Sequence, residues 1–140
     1  MIDANLLLYA YNPRAAQHEA GKEWLESALS GAGLVGFAWQ TIWAFLRIST
    51  NVRVFERPLS AAEAVTAASG WLERPHARIM EPGERHLSIL SGLLQEGQCA
   101  GPLVTDASLA AIAIEHGAVL CTTDRDFTRF GQLKWQDPIK

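Results

Sequence analysis

The stretch VTDASLAAIAIEHGAVLCTTDRDF, residues 104–127, decides the fold class. Its first half reads as an alanine-rich helix from Asp106 to His116, followed by Gly117, where a left-handed backbone ends a helix at little cost. Its second half turns at once into a short apolar strand, Ala118 to Thr122, and then into a polar turn carrying two aspartates. A helix feeding a strand within a few residues is the repeating unit of α/β proteins. The same alternation runs outward in both directions. Upstream, Gly97 to Pro102 is a loop, Pro82 and Gly83 open a helix with Leu87, Leu90, Leu93 and Leu94 inward, and Ala77 to Met80 is a strand. Ser60 and Glu63 spell a capping box, with Leu59 as its staple residue and Ala64, Ala68, Trp71 and Leu72 on one helical face. Further back, Trp39, Ile42, Trp43 and Leu46 follow the spacing of a core-packed helix after a buried strand at Leu34 to Phe37. Ala16, Ala20, Trp24 and Ala28, beside Leu25 and Leu29, mark another helix. Met1 to Asp3 reads as the stub of a strand, and Leu133 to Trp135 as a weak edge strand.

Length and composition set the limits of the reading. A chain of 140 residues, 49% hydrophobic and 19% charged, is expected to form a single domain over residues 1–140 with a packed core. No apolar run is long enough for a membrane span, and no basic start leads into an apolar signal region, so the expected location is the cytoplasm. Cys99 and Cys121 form no CxxC pair, which argues against a disulfide framework or a cysteine-rich zinc site. The formal net charge is −3, so nucleic-acid binding must come from a local basic patch or from bound cations.

In open α/β sheets ligands bind beyond the carboxyl ends of the strands, near the point where strand order reverses. Asp3 follows the first strand and Asp124 follows the strand at Val119 to Cys121; Asp106 and Asp126 stand close by in sequence. Each has an ordinary reading. Asp106 alone suits a helix cap, and Asp124 with Asp126 suits an Asx-turn. Asp3 is harder to assign to structure, because aspartate is depleted in strands. Gathered at one sheet end, such carboxylates repel one another unless a cation sits among them. Hard divalent cations favour an oxygen-rich, partly hydrated site completed by a substrate phosphate, so the pattern points to metal-assisted phosphoryl chemistry. The four histidines have no metal-ligand spacing, and no Ser/His or Cys/His pairing suggests a side-chain nucleophile.

Three segments in order, IDANLLLYA (2–10), VTDASLAAIAIEHG (104–117) and TTDRDF (122–127), resemble the acidic motifs of PIN-domain ribonucleases, and most of all the VapC toxins of toxin–antitoxin pairs. WAFLRISTN (43–51), FERPL (55–59) and LKWQDP (133–138) extend the resemblance over nearly the whole chain. It implies a PIN-like three-layer α/β fold, with a central, mostly parallel sheet flanked by helices. It also implies a Mg²⁺ or Mn²⁺ site, RNA as substrate, a VapB-type antitoxin as partner and a homodimer. Position by position, Asp3, Asp106 and Asp124 match the family's catalytic, metal-binding aspartates, and Asp126 matches an accessory acid. Asn5 and Thr122 match polar residues lining the site, and Arg47 is expected to contact substrate. Many members carry a glutamate three residues before that arginine, where this chain has Ala44. The expected activity is a metal-dependent endoribonuclease in which water attacks the phosphate in line, leaving 5′-phosphate and 3′-hydroxyl ends. Two alternatives stand beside it. One is a catalytically impaired PIN domain that only binds RNA or its partner. The other is an aspartyl-phosphate phosphatase, which needs its DxD straight after the first strand rather than at Asp124.

Overall fold

Helices and short extended segments alternate along residues 1–140, all of which the computed structural model describes. In chain order these are α1 (Ala4–Tyr11), α2 (His18–Ser30), β1 (Val35–Phe37), α3 (Trp39–Ser49), α4 (Ala61–Leu72), β2 (Ala77–Ile79), α5 (His86–Glu96), α6 (Leu103–Glu115), β3 (Leu120–Cys121), a 3₁₀ helix (Arg125–Arg129) and β4 (Trp135–Gln136). β1 pairs in parallel with β2, and β3 in parallel with β4. Residues 1–3 join the two pairs. Ile2 bridges Cys121 in parallel, and its N–H donates to the Gly36 carbonyl at 3.0 Å. Cys121 N–H reaches the Met1 carbonyl at 2.8 Å, and Asp3 N–H reaches the Cys121 carbonyl at 3.0 Å. The hydrogen-bonded order is therefore β2, β1, residues 1–3, β3, β4, with β1–β2, β3–β4 and the Ile2–Cys121 bridge parallel. The chain moves outward from residues 1–3 through β1 to β2, then returns to the other side for β3 and β4. The switch point lies between Asp3 and the end of β3, where a doubly wound sheet opens a crevice.

Alternation along the first strand separates two cores. Ile2 joins Leu6, Leu7, Leu25, Phe37, Phe45 and Trp71 under α1 to α4. Met1 joins Leu93, the buried face of α6, Leu120, Phe127 and Phe130 under α5 and α6. That is the expected three-layer arrangement. On the first side Trp71 is the hub. Its indole stacks on Phe37 with centroids 5.9 Å apart, meets Phe45 edge-on at 4.7 Å, and donates to the Tyr11 hydroxyl at 3.3 Å. The capping box at the head of α4 forms as expected: Glu63 N–H donates to Ser60 Oγ at 3.1 Å, and Ser60 N–H to Glu63 Oε1 at 2.9 Å. Gly117 adopts φ +64°, the left-handed turn expected of it.

Several expectations shift. Helix α1 was not legible, because Leu6 to Tyr11 is apolar without a polar break and shows no period. Helix α3 is rotated from the reading above: of the expected stripe Ile42 is buried and Leu46 half-buried, Trp39 and Trp43 face outward, and Thr41, Phe45 and Ser49 complete the buried face. Two apolar stripes were available on that helix, and packing took the one that brings Phe45 against Trp71. In α5 Leu93 is buried and Leu87 is exposed. Helix α6 starts at Leu103, so Asp106 lies inside its first turn and is not its cap.

Candidate functional site

Thr122 is the centre of the site. It follows β3, is fully buried, and its hydroxyl uses all of its bonding capacity. Its Oγ1 donates to Asp3 Oδ2 at 2.7 Å and accepts from Asn5 Nδ2 at 3.2 Å and from Asp124 N–H at 3.0 Å. One side chain thus ties together the ends of the first strand and β3 and the head of α1. Asp3 also caps that helix, its Oδ1 accepting from Ala4 N–H at 2.7 Å. Burial raises the Asp3 pKa above the usual carboxylate range; the bonds from Thr122 and Ala4 oppose this, and the Asp124 charge adds to it.

Three of the four expected acids come together in front of this hub. Carboxylate oxygens of Asp106, Asp124 and Asp126 lie within 4.8 Å of one another. Asp124 arrives on the turn after β3 and caps the 3₁₀ helix, accepting from Asp126 N–H at 2.8 Å. The Asx-turn reading and the site reading are therefore both met by the same residue. Asp106 projects from the first turn of α6 and accepts no hydrogen bond from any protein group. Its pKa is raised to about 6, first by burial and then by the charges of Asp124, Asp3 and Asp126, with Arg129 pulling the other way. Asp3 stands outside the trio, coupled to it through Thr122 and through charge.

Arg129 was missed in the sequence. Its Nη2 lies 4.0 Å from Asp126 Oδ1, its Nε donates to the Asp126 carbonyl at 3.1 Å, and its Nη1 donates to the Gly97 carbonyl at 2.9 Å. The i, i+3 spacing from Asp126 was the available signal. Arg47 is brought to none of the acids. It sits exposed on α3, on the face that begins at Gln40, whose Nε2 donates to the Thr105 carbonyl at 3.3 Å beside Asp106. Helical rise puts Ala44 about 6 Å and Arg47 roughly 10 Å along α3 from Gln40. The vacant glutamate position thus shares the face that starts at the rim of the site.

The donor set suits a hard divalent cation. It is all oxygen, carries more negative charge than Arg129 balances, and leaves at least one polar atom without a protein partner. That atom is Asn5 Oδ1, a buried acceptor with nothing in the protein to bond.

Comparison with known proteins agrees with this architecture. The family model described as "PIN domain" matches residues 1–133. Ribonuclease VapC37 of Mycobacterium tuberculosis (strain H37Rv) is 44% identical over 138 residues, spanning 99% of this chain and 96% of the relative. Ribonuclease VapC33 of the same organism is 39% identical over the same shares. Among solved structures, VapBC2 from Rickettsia felis, bound to a promoter DNA fragment, superposes with a TM-score of 0.70 at 16% identity, covering 97% of this chain and 96% of the other. VapBC-1 from nontypeable Haemophilus influenzae gives 0.70 at 22% identity, covering 100% and 98%. At those identities the two structures speak to the fold alone.

Proposed function

The chain belongs to the PIN-domain family, and from that premise we propose that it is a VapC-type toxin, a ribonuclease that cuts RNA with the help of a divalent cation. The observation that carries the reading is the meeting of Asp106, Asp124 and Asp126 within 4.8 Å at the switch point of a parallel sheet. Together with Asp3 they form the catalytic and metal-binding set. A Mg²⁺ or Mn²⁺ held by these carboxylates would supply Lewis-acid charge at the scissile phosphate and would lower the pKa of a water used as nucleophile. The protein's own part is placement. Thr122 holds Asp3 and Asp124 in register, and Asn5 Oδ1 offers an acceptor that can orient a water. Arg129 stands at the exposed rim, with Nη2 4.0 Å from Asp126 Oδ1, and offsets part of the cluster's charge.

The partner that fits is a VapB-type antitoxin carrying an arginine or lysine for the acidic crevice, where a cation is welcome. The outward-facing Trp39 and Trp43, 41% and 63% exposed, offer an apolar surface for a homodimer. A single domain over residues 1–140, acting in the cytoplasm, completes the reading; no helix is long and apolar enough to cross a membrane. Three clustered carboxylates also weigh against the binding-only alternative, despite Ala44.

The test is cleavage. Protein freed of any partner is incubated with a mixed tRNA, rRNA and mRNA pool in Mg²⁺, Mn²⁺ or EDTA, and product ends are mapped. The expected result is metal-dependent cutting with 5′-phosphate ends, lost in Asp124→Asn. Cutting that persists in EDTA, or 2′,3′-cyclic phosphate ends, would overturn the proposal.

A further inference from the structure

Beside the acidic cluster lies a cavity of about 390 Å³ that none of the four aspartates lines. Its walls are Thr123, Arg125, Trp135, Gln136, Asp137 and Lys140. Thr123 and Arg125 flank Asp124 in sequence, and the Thr122 N–H donates to the Gln136 carbonyl at 3.0 Å. The cavity therefore opens on the same carboxyl edge of the sheet, one strand spacing, about 5 Å, from the hub of the site. Its size falls within the range of small-ligand clefts.

The chemistry of the walls is selective. Arg125 and Lys140 are exposed cations, and neither forms an ion pair. Asp137 adds one carboxylate to the wall; its Oδ1 accepts from Ile139 N–H at 3.2 Å, and no cation pairs with it, so two cations stand against one anion. Trp135 is half-buried and is the one apolar wall. A chain of net charge −3, with four aspartates at its crevice, repels a polyanion unless free cations stand next to the acids. Trp135 packs on the core with one part of its ring and lines the cavity with another, and an indole beside two cations matches what a nucleotide uses: a platform for the base and a partner for the phosphate.

We propose that this cavity is a ribonucleotide subsite, in which Arg125 and Lys140 hold a backbone phosphate adjoining the scissile one and Trp135 stacks the neighbouring base. The occupant is single-stranded RNA, because a base paired in a duplex cannot be splayed onto an indole. The inference rests on reading the chain as an RNA-cutting enzyme, but its test does not depend on cutting.

Binding of a fluorescein-labelled single-stranded RNA dodecamer to the full chain is followed by anisotropy in EDTA, across a salt series. Arg125→Gln is expected to weaken binding about tenfold and to flatten the salt dependence by about 0.7 in slope, the loss of roughly one phosphate contact. Arg125→Lys should restore most of both, which a merely structural role for the arginine would not allow. Trp135→Leu should also lose about tenfold and Trp135→Phe much less. Lys22→Gln, the same charge change on exposed α2, should change little. If Trp135→Leu does not fold, the Arg125 pair decides. Wild-type affinity in Arg125→Gln, or a loss no larger than that of Lys22→Gln, overturns the subsite. Parallel Mg²⁺ cleavage assays separate the two readings. Binding that depends on Arg125 without any cleavage overturns the enzyme and leaves the subsite; cleavage with Arg125-independent binding does the reverse.

Discussion

Asp106 is the residue whose removal is most informative, because it has charge neighbours and no hydrogen bonds to lose. Its folded pKa, about 6, lies above that of an unfolded aspartate. The sign follows directly. The group favours the folded state below about pH 4, and that contribution is lost as pH rises through 6. In metal-free buffer at pH 7.5, Asp106→Asn should therefore melt higher, by on the order of 1 kcal/mol once solvent screening of a half-exposed group is allowed for. Its stability should also stay flatter than wild type between pH 4 and 7. The same variant should lose cleavage. Thermal melts across pH check this, and a variant less stable than wild type at pH 7.5 would count against the charge cluster. Asp3→Asn is a poorer probe. The new amide would face a Thr122 hydroxyl that already accepts two bonds and is donating to Asp3. Thr122→Val, which strips that hub and leaves Asp3 short of a donor, should cost about 2 kcal/mol in denaturant melts. Ala44→Glu tests the vacant position. If that face of α3 borders the metal, the Mg²⁺ concentration giving half-maximal cleavage should fall, and an unchanged midpoint would place Ala44 away from it.

At the scale of elements, the four acids are delivered at three helix starts, with Asp124 and Asp126 sharing the 3₁₀ helix. Asp3 caps α1, Asp106 sits within the first turn of α6, and Asp124 caps the 3₁₀ helix. Helix N-termini carry partial positive charge, which tolerates carboxylates that would otherwise repel one another more strongly. The 3₁₀ helix is anchored twice, through Arg129 to Gly97 and through buried Phe127 and Phe130, whose rings lie 6.2 Å apart. Phe127→Ala should therefore cost about 3–5 kcal/mol by leaving a cavity under Asp124 and Asp126, and a scanning-calorimetry shift of only a degree or two would contradict that anchoring. The helices also show how far local pattern reaches. The capping box of α4 is a short-range device and was legible at Ser60 and Glu63. The buried face of α3 was legible only in part: Ile42 of the expected stripe is buried, but Trp39 and Trp43 match the helical spacing and face outward, while Phe45 takes the core.

For the whole molecule, the cluster predicts linkage between metal and stability. A cation that binds only the folded chain raises its melting temperature with the logarithm of its concentration. Adding 5 mM Mn²⁺ to metal-free protein at pH 7.5 should raise Tm by several degrees, and the gain should largely vanish in Asp124→Asn. An equal gain in the variant would mean that the ion binds elsewhere. The sequence by itself determined what is local or ordered along the chain. Alternating strand and helix signals set the α/β class, Gly117 and Ser60 marked element ends, and three acidic segments in fixed order carried the resemblance that points to the aspartates. What the tertiary structure decided was which of them meet. Asp106, Asp124 and Asp126 converge because residues 1–3 pair with β1 on one side and β3 on the other, while Asp3 is set back behind Thr122. Arg129 and the Arg125–Trp135 cavity became visible only at that stage. Their partners lie on separate segments, and strand pairing and core packing, not spacing, bring such groups to one sheet edge.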